Sequence, residues 1–117
     1  SDREQELLFR GQAYLNAIAS YYHAQPQQPA YPRFLSDLES DPRFLNRRHI
    51  RRLYPEPFAH EWQLIRNREG GIMGVASRST EQPFKRANFP RQLQDFTDTE
   101  QFKQWKFIYL PPQEKEM

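Results

Sequence analysis

The chain contains no cysteine, which excludes disulfides, thiolate metal sites and a cysteine nucleophile, and leaves the redox compartment undetermined. It has no apolar run long enough to cross a bilayer or to serve as a secretory signal. Glycine is scarce: Gly70, Gly71 and Gly74 match neither a dinucleotide fingerprint nor a phosphate-binding loop, because they lie in a strand-turn-strand context instead of leading from a strand into a helix. Charge of one sign is also lacking. Seventeen basic residues against 15 acidic ones give a formal +2, so a pI near 9.0 does not by itself argue for a nucleic-acid partner. Hydrophobic residues make up only 37%, and mean hydropathy is -1.01. What the chain does have is aromatic residues, 15% of the total, which supply large buried areas from few positions. At 117 residues it fits one aromatic-cored domain, 1–117.

The longest regular pattern comes first. Leu7, Leu8, Gly11, Tyr14, Leu15, Ile18, Tyr21 and Tyr22 recur at three- and four-residue intervals, with Arg3, Glu4, Gln5, Arg10, Gln12 and Asn16 opposite. This predicts a helix from Arg3 to Ala24, about 33 Å long at about 1.5 Å per residue. Pro26 bars its continuation, and Gln25 before it is biased away from helical angles. The helix starts at full stride at Arg3, so the chain is expected to be cut within a longer helix; Ser1 or Asp2 as an N-cap is the alternative.

From Gln25 to Pro32, three prolines and three glutamines in eight residues read as an extended connector. Phe34, Leu35 and Leu38 predict a short helix ending near Asp41-Pro42, and a second helical turn follows at about Asn46 to Leu53, with Phe44, Leu45, Ile50 and Leu53 as its apolar contacts. Pro55 and Pro57 then close the connector, 26–60. Glu61 to Arg66 and Ile72 to Arg78 read as an antiparallel hairpin, with Gly70 and Gly71 taking positive φ in its turn and Gly74 marking close packing or a bulge. Ser79 to Gln101 has no clean period and reads as a long ordered loop anchored by Phe84, Phe89, Leu93 and Phe96. Trp105, Phe107 and Tyr109 alternate with Lys106 and Ile108 in a further strand, Gln104 to Leu110, stopped by Pro111-Pro112; Gln113 to Met117 reads as a frayed tail. The fold class is α+β: a long helix on an antiparallel sheet of three strands, or four if the loop adds one. Its core should join Leu7, Gly11, Tyr14, Leu15, Ile18 and Tyr22 to Trp62, Leu64, Val75, Phe107 and Tyr109.

Catalytic and metal motifs are hard to find. His60-Glu61 lacks the second histidine of a zinc protease, since Leu64 stands where it belongs. His23, His49 and His60 are isolated and read as surface or partly packed residues. No Gly-x-Ser-x-Gly elbow occurs. Asp95, Asp98 and Glu100 could approach one another in the long loop without forming a calcium pattern. No cofactor, no metal and no catalytic residue is therefore expected. The sharpest charge feature is Arg43, Arg47, Arg48, Arg51 and Arg52. On a helical turn, Arg47 and Arg51, and Arg48 and Arg52, would present two guanidinium pairs to phosphate or carboxylate. A solvated face that pairs with acids of its own or of a neighbour is the plainer reading.

Taken together, the long amphipathic helix, Tyr31-Pro32, the Leu35–Leu38 turn, Arg51-Arg52-Leu53-Tyr54-Pro55-Glu56-Pro57, Trp62, Gly70-Gly71-Ile72-Met73-Gly74-Val75-Ala76-Ser77 and Trp105-Lys106-Phe107-Ile108-Tyr109 form a recognisable order. From about Glu4 to Tyr109 the chain resembles the soluble part of type IV pilin-like proteins, and among them the pseudopilins of type II secretion. In that family a hydrophobic segment precedes the helix, is processed by a prepilin peptidase and continues into it as one rod. The resemblance implies a non-enzymatic structural subunit at the periplasmic face of the bacterial inner membrane. It implies other pseudopilin or pilin subunits and an inner-membrane assembly platform as partners, with membrane contact only through that segment and no nucleic acid. Major pseudopilins carry an acidic calcium loop near the C-terminus; Glu81, Asp95, Asp98 and Glu100 do not reproduce its order, so no metal ligand is carried over. The alternative is a basic binding module, such as a DNA-contacting minor pilin that uses Arg47, Arg48, Arg51 and Arg52.

Overall fold

A computed structural model describes residues 2–113; Ser1 as a cap and the tail from Glu114 onward lie outside the described residues. Helix α1 runs Asp2–His23, close to the span its periodicity predicts. The connector holds one short helix, α2, Ser36–Glu39. Strands β1, Gln63–Arg66, β2, Ile72–Ala76, and β3, Lys106–Ile108, form an antiparallel sheet in the order β1-β2-β3. No fourth strand joins it among the described residues. Each strand is shorter than its sequence pattern implies. A 3-10 turn at Phe102–Gln104 occupies the start of the expected last strand.

Leu64, Val75 and Phe107 are aligned across the sheet and face α1. Gly11 lies directly against the Phe107 ring, where a Cβ would collide with the ring carbons. That close approach, not helix propensity, explains a glycine in the middle of a helix. Tyr14 meets Trp62 edge to face at 5.4 Å, and its hydroxyl both donates to the Tyr54 carbonyl (2.8 Å) and accepts from the Tyr54 N–H (2.9 Å). Trp62 Nε1 donates to the same carbonyl at 2.9 Å. Tyr14 and Trp62 thus clamp the proline-rich segment Tyr54–Pro57 to the core. Deeper in, Phe96 stacks on Trp105 (5.2 Å, 9° between planes) and meets Phe107 edge to face at 5.0 Å.

The hairpin turn takes its shape from Asn67, whose Oδ1 accepts from the Glu69 and Gly71 N–H groups at 3.1 and 2.8 Å. Gly70 has φ +88, whereas Gly71 does not take the positive φ expected of it and is needed because a Cβ would come 2.7 Å from Tyr31 Cβ. The register skips Met73 between Ile65–Gly74 and Arg66–Ile72, so β2 carries a bulge. Next to it a Gly74 Cβ would strike the Phe107 and Ile108 backbone. Both readings of Gly74, bulge and close packing, therefore hold at one place.

Further expectations are corrected. The turn at Asn46 to Leu53 is not helical; the segment is a series of bends held by tertiary bonds, and Leu45, expected as one of its apolar contacts, stands fully in solvent. Glu4 is buried instead of facing solvent, because its carboxylate accepts the Phe84 and Lys85 N–H groups (2.7 and 3.1 Å) and so fixes the long loop to the first turn of α1. In that loop, Leu93 and Phe96 are buried on a 3-10 segment, Arg91–Phe96, and Phe89 packs on the core, but Phe84 is 87% exposed and anchors nothing.

Candidate functional site

The residues Asp41 to Ile50 form a loop beside the C-terminal turn of α1, organised by a buried carboxylate. Asp41 accepts from the Arg43 N–H (3.0 Å), Arg43 Nε (2.9 Å), Arg43 Nη2 (2.8 Å) and His49 Nε2 (2.8 Å). Burial pushes this carboxyl up, but the bonds from Arg43 and His49 outweigh it and hold the group at about 2. The same pairing raises the Arg43 guanidinium. Arg43 also donates from Nη2 to the Tyr21 carbonyl at 2.7 Å and lies 3.7 Å over the Tyr21 ring. It therefore caps an end of α1 where carbonyls lack helical partners. Its Nη1 is buried without a hydrogen-bond partner. His49 Nδ1 lies 2.7 Å from Ser20 Oγ on α1.

Ser20, His49 and Asp41 thus form a continuous chain with the residue types of a hydrolytic triad. Ser20 lies in the last turn of α1, where the free backbone groups are carbonyls rather than N–H donors, so the helix end itself offers nothing to a developing oxyanion. The cluster pins the loop. Its signal in the sequence was the Asp41-Pro42-Arg43 string with His49 a few residues on, but nothing short of the fold tells that they converge.

The five arginines do not form the paired array that a helix would give. Arg43 is consumed by Asp41 and Tyr21. Arg47 lies 4.4 Å over the Phe44 ring and Arg52 4.9 Å over the Tyr54 ring. Arg48 Nη1 donates to the Arg51 carbonyl at 2.7 Å. Arg47, Arg48, Arg51 and Arg52 are all exposed and take part in no ion pair among the described residues.

Of the expected core residues, Leu7, Gly11, Tyr14, Leu15, Ile18, Trp62, Val75 and Phe107 are buried; Tyr22, Leu64 and Tyr109 are half-buried. Tyr22 and Tyr109 meet at 5.9 Å in an aromatic cluster with Tyr31 and His23, whose Nε2 lies 2.5 Å from the Tyr109 hydroxyl. His60 occupies a left-handed turn (φ 75) ahead of β1 and faces solvent. Arg86 lies 3.7 and 3.9 Å from Asp98 and Glu100, and no group of three acidic or histidine side chains suited to a metal exists among the described residues.

A second feature runs along α1. Leu8, Phe9, Gln12, Ala13 and Asn16 form one wall of an open groove of about 400 Å³, and Lys85, Phe89, Pro90 and Leu93 of the long loop form the other. Phe9 is 61% exposed. Gln12 Nε2 donates across the groove to Gln92 Oε1 at 3.0 Å. No helix among the described residues is long and apolar enough to cross a membrane. Compared with known protein families, curated proteins and solved structures, the chain matches none.

Proposed function

We propose that the chain is the globular domain of a non-enzymatic, pilin-like filament subunit of the pseudopilin type, acting in protein export at the periplasmic face of the inner membrane. What supports this reading is the layout of a 22-residue helix laid on an antiparallel sheet, together with the family resemblance of the ordered motifs. The observation that carries it is the groove beside α1. The helix buries one stripe in its own core and offers a second, apolar strip at Leu8, Phe9 and Ala13 beside the long loop. A subunit that adds to a filament by a heterologous contact needs a surface of this sort, outside its own core and parallel to its rod. The subunit's contribution is surface; energy for assembly comes from elsewhere in the machine.

Because the chain has no cysteine, single engineered cysteines report on one position each. Phe9→Cys, Asn16→Cys and Lys85→Cys, introduced into the full-length protein in its host membrane and treated with a bismaleimide, should yield adducts with neighbouring subunits. Gln63→Cys, exposed on the sheet face away from α1, is the control. Adducts no more frequent from the groove positions than from Gln63 would contradict the proposal.

A further inference from the structure

The tip of the Asp41–Ile50 loop combines features that a merely solvated face does not need. Leu45 is fully exposed and Phe44 beside it is only half-covered. The loop that carries them is held rigidly: Asp41 binds Arg43 and His49, the Asp41 N–H donates to the Arg47 carbonyl (2.9 Å), and the His49 and Ile50 N–H groups donate to the Leu38 carbonyl (2.7 and 3.1 Å). From Pro42 to Pro55 the chain has five arginines and no acidic residue. An apolar side chain displayed on a pre-ordered loop loses little conformational freedom on binding. Arginine and buried apolar or aromatic anchors are also what concentrate binding energy at protein interfaces.

We infer that this loop docks an acidic protein partner, whose carboxylates take the guanidinium edges of Arg47, Arg51 and Arg52 while an apolar pocket takes Leu45. Arg47 and Arg52 each lie over an aromatic ring, at 4.4 and 4.9 Å, and neither has an acidic partner among the described residues, so both keep donors for a carboxylate, which a guanidinium can bind through two N–H groups. Duplex DNA would take the guanidiniums but leave Leu45 in water, since phosphates offer it no pocket. A lipid surface needs a broad apolar face, and one leucine does not make one. A second copy of this chain is a poor seat as well, because the rim of its apolar groove carries Lys85, which repels the arginines. The inference is independent of the filament reading, since it concerns a different surface and rests on the exposed Leu45, the local charge and the rigidity of the loop.

The test is titration of the ¹⁵N-labelled chain, at about 0.15 M salt, with a synthetic peptide of repeating Glu-Glu-Leu-Glu units. A glutamine-for-glutamate version, a short DNA duplex, and vesicles of equal parts phosphatidylglycerol and phosphatidylcholine are run alongside. The acidic peptide should shift the amides of residues 43–52, and the glutamine peptide should not. Leu45→Ser should weaken binding about tenfold, as the loss of a buried leucine implies, and Arg47→Ala about threefold. Arg68→Ala, on the exposed hairpin turn, should change nothing, and all three variants should keep the parent Tm. The inference is overturned if the glutamine peptide binds equally well, if Leu45→Ser binds like the parent, or if DNA or vesicles shift the same amides at lower concentration. Absence of any shift at millimolar peptide overturns it too.

Discussion

Asp41→Asn removes one charge from a site where three neighbouring groups have been arranged around it. The carboxyl moves from its usual 3.8 to about 2 in the folded chain, a stabilisation of about 2 kcal/mol at roughly 1.4 kcal/mol per unit. Asparagine keeps one acceptor oxygen but leaves the Arg43 guanidinium, only 17% exposed, without its counter-charge. Breaking a buried pair from one side adds to the loss, so the expected cost at neutral pH is about 2–4 kcal/mol. Urea unfolding followed by the fluorescence of Trp62 and Trp105 measures it. The sign with pH follows from a depressed carboxyl: its contribution is complete above the unfolded value near 3.8 and vanishes as pH falls toward 2. Parent and variant should therefore differ by the full amount at pH 6 and converge between about pH 4 and pH 2. Taking the difference cancels the other carboxylates. A cost below about 0.5 kcal/mol at neutral pH, or a gap that persists unchanged at pH 2, would refute the role assigned to Asp41.

Gly11→Ala should destabilise the domain by about 1–3 kcal/mol despite gaining up to about 1 kcal/mol of helix propensity, because its Cβ collides with the buried Phe107 ring. A lowered Tm, partly restored by adding Phe107→Leu, checks this; a raised Tm refutes it. Glu4→Ala should cost about 2 kcal/mol by freeing two backbone N–H groups, and hydrogen exchange at Phe84 and Lys85 should accelerate while that of Val75 follows global stability alone. Equal acceleration at all three amides would show that Glu4 does not hold the loop. Gly74→Ala, which strikes backbone instead of a side chain, should be worse tolerated than Gly11→Ala in the same thermal assay.

Periodicity made α1 and the hairpin legible, because one stripe of a helix and the alternation of a strand are local properties of the chain. Tyr14, Ile18 and Phe107 could be placed in the core on that ground. Ile50 and Leu53 have helical spacing, but the backbone around Asn46 is committed to the Leu38 carbonyl and to the Asp41 N–H instead. Helical spacing puts Glu4 opposite the apolar stripe; only the return of the chain at Phe84, 80 residues later, buries it. Likewise, Asp41, Arg43, His49 and Ser20 come from two separate segments, and no spacing rule joins Ser20 to His49 across 29 residues. The arginine cluster was plain as a composition feature, but its display on bends rather than on a helix was not.

The filament reading is tested most directly by the natural reading frame upstream of Ser1, together with the mass of the mature N-terminus in membrane extract. The account predicts a leader ending in glycine, followed by about 20 apolar residues that run in frame into Arg3, enough to span a bilayer. A frame that opens within a few residues of Ser1, with the protein recovered wholly in the aqueous fraction, would contradict it.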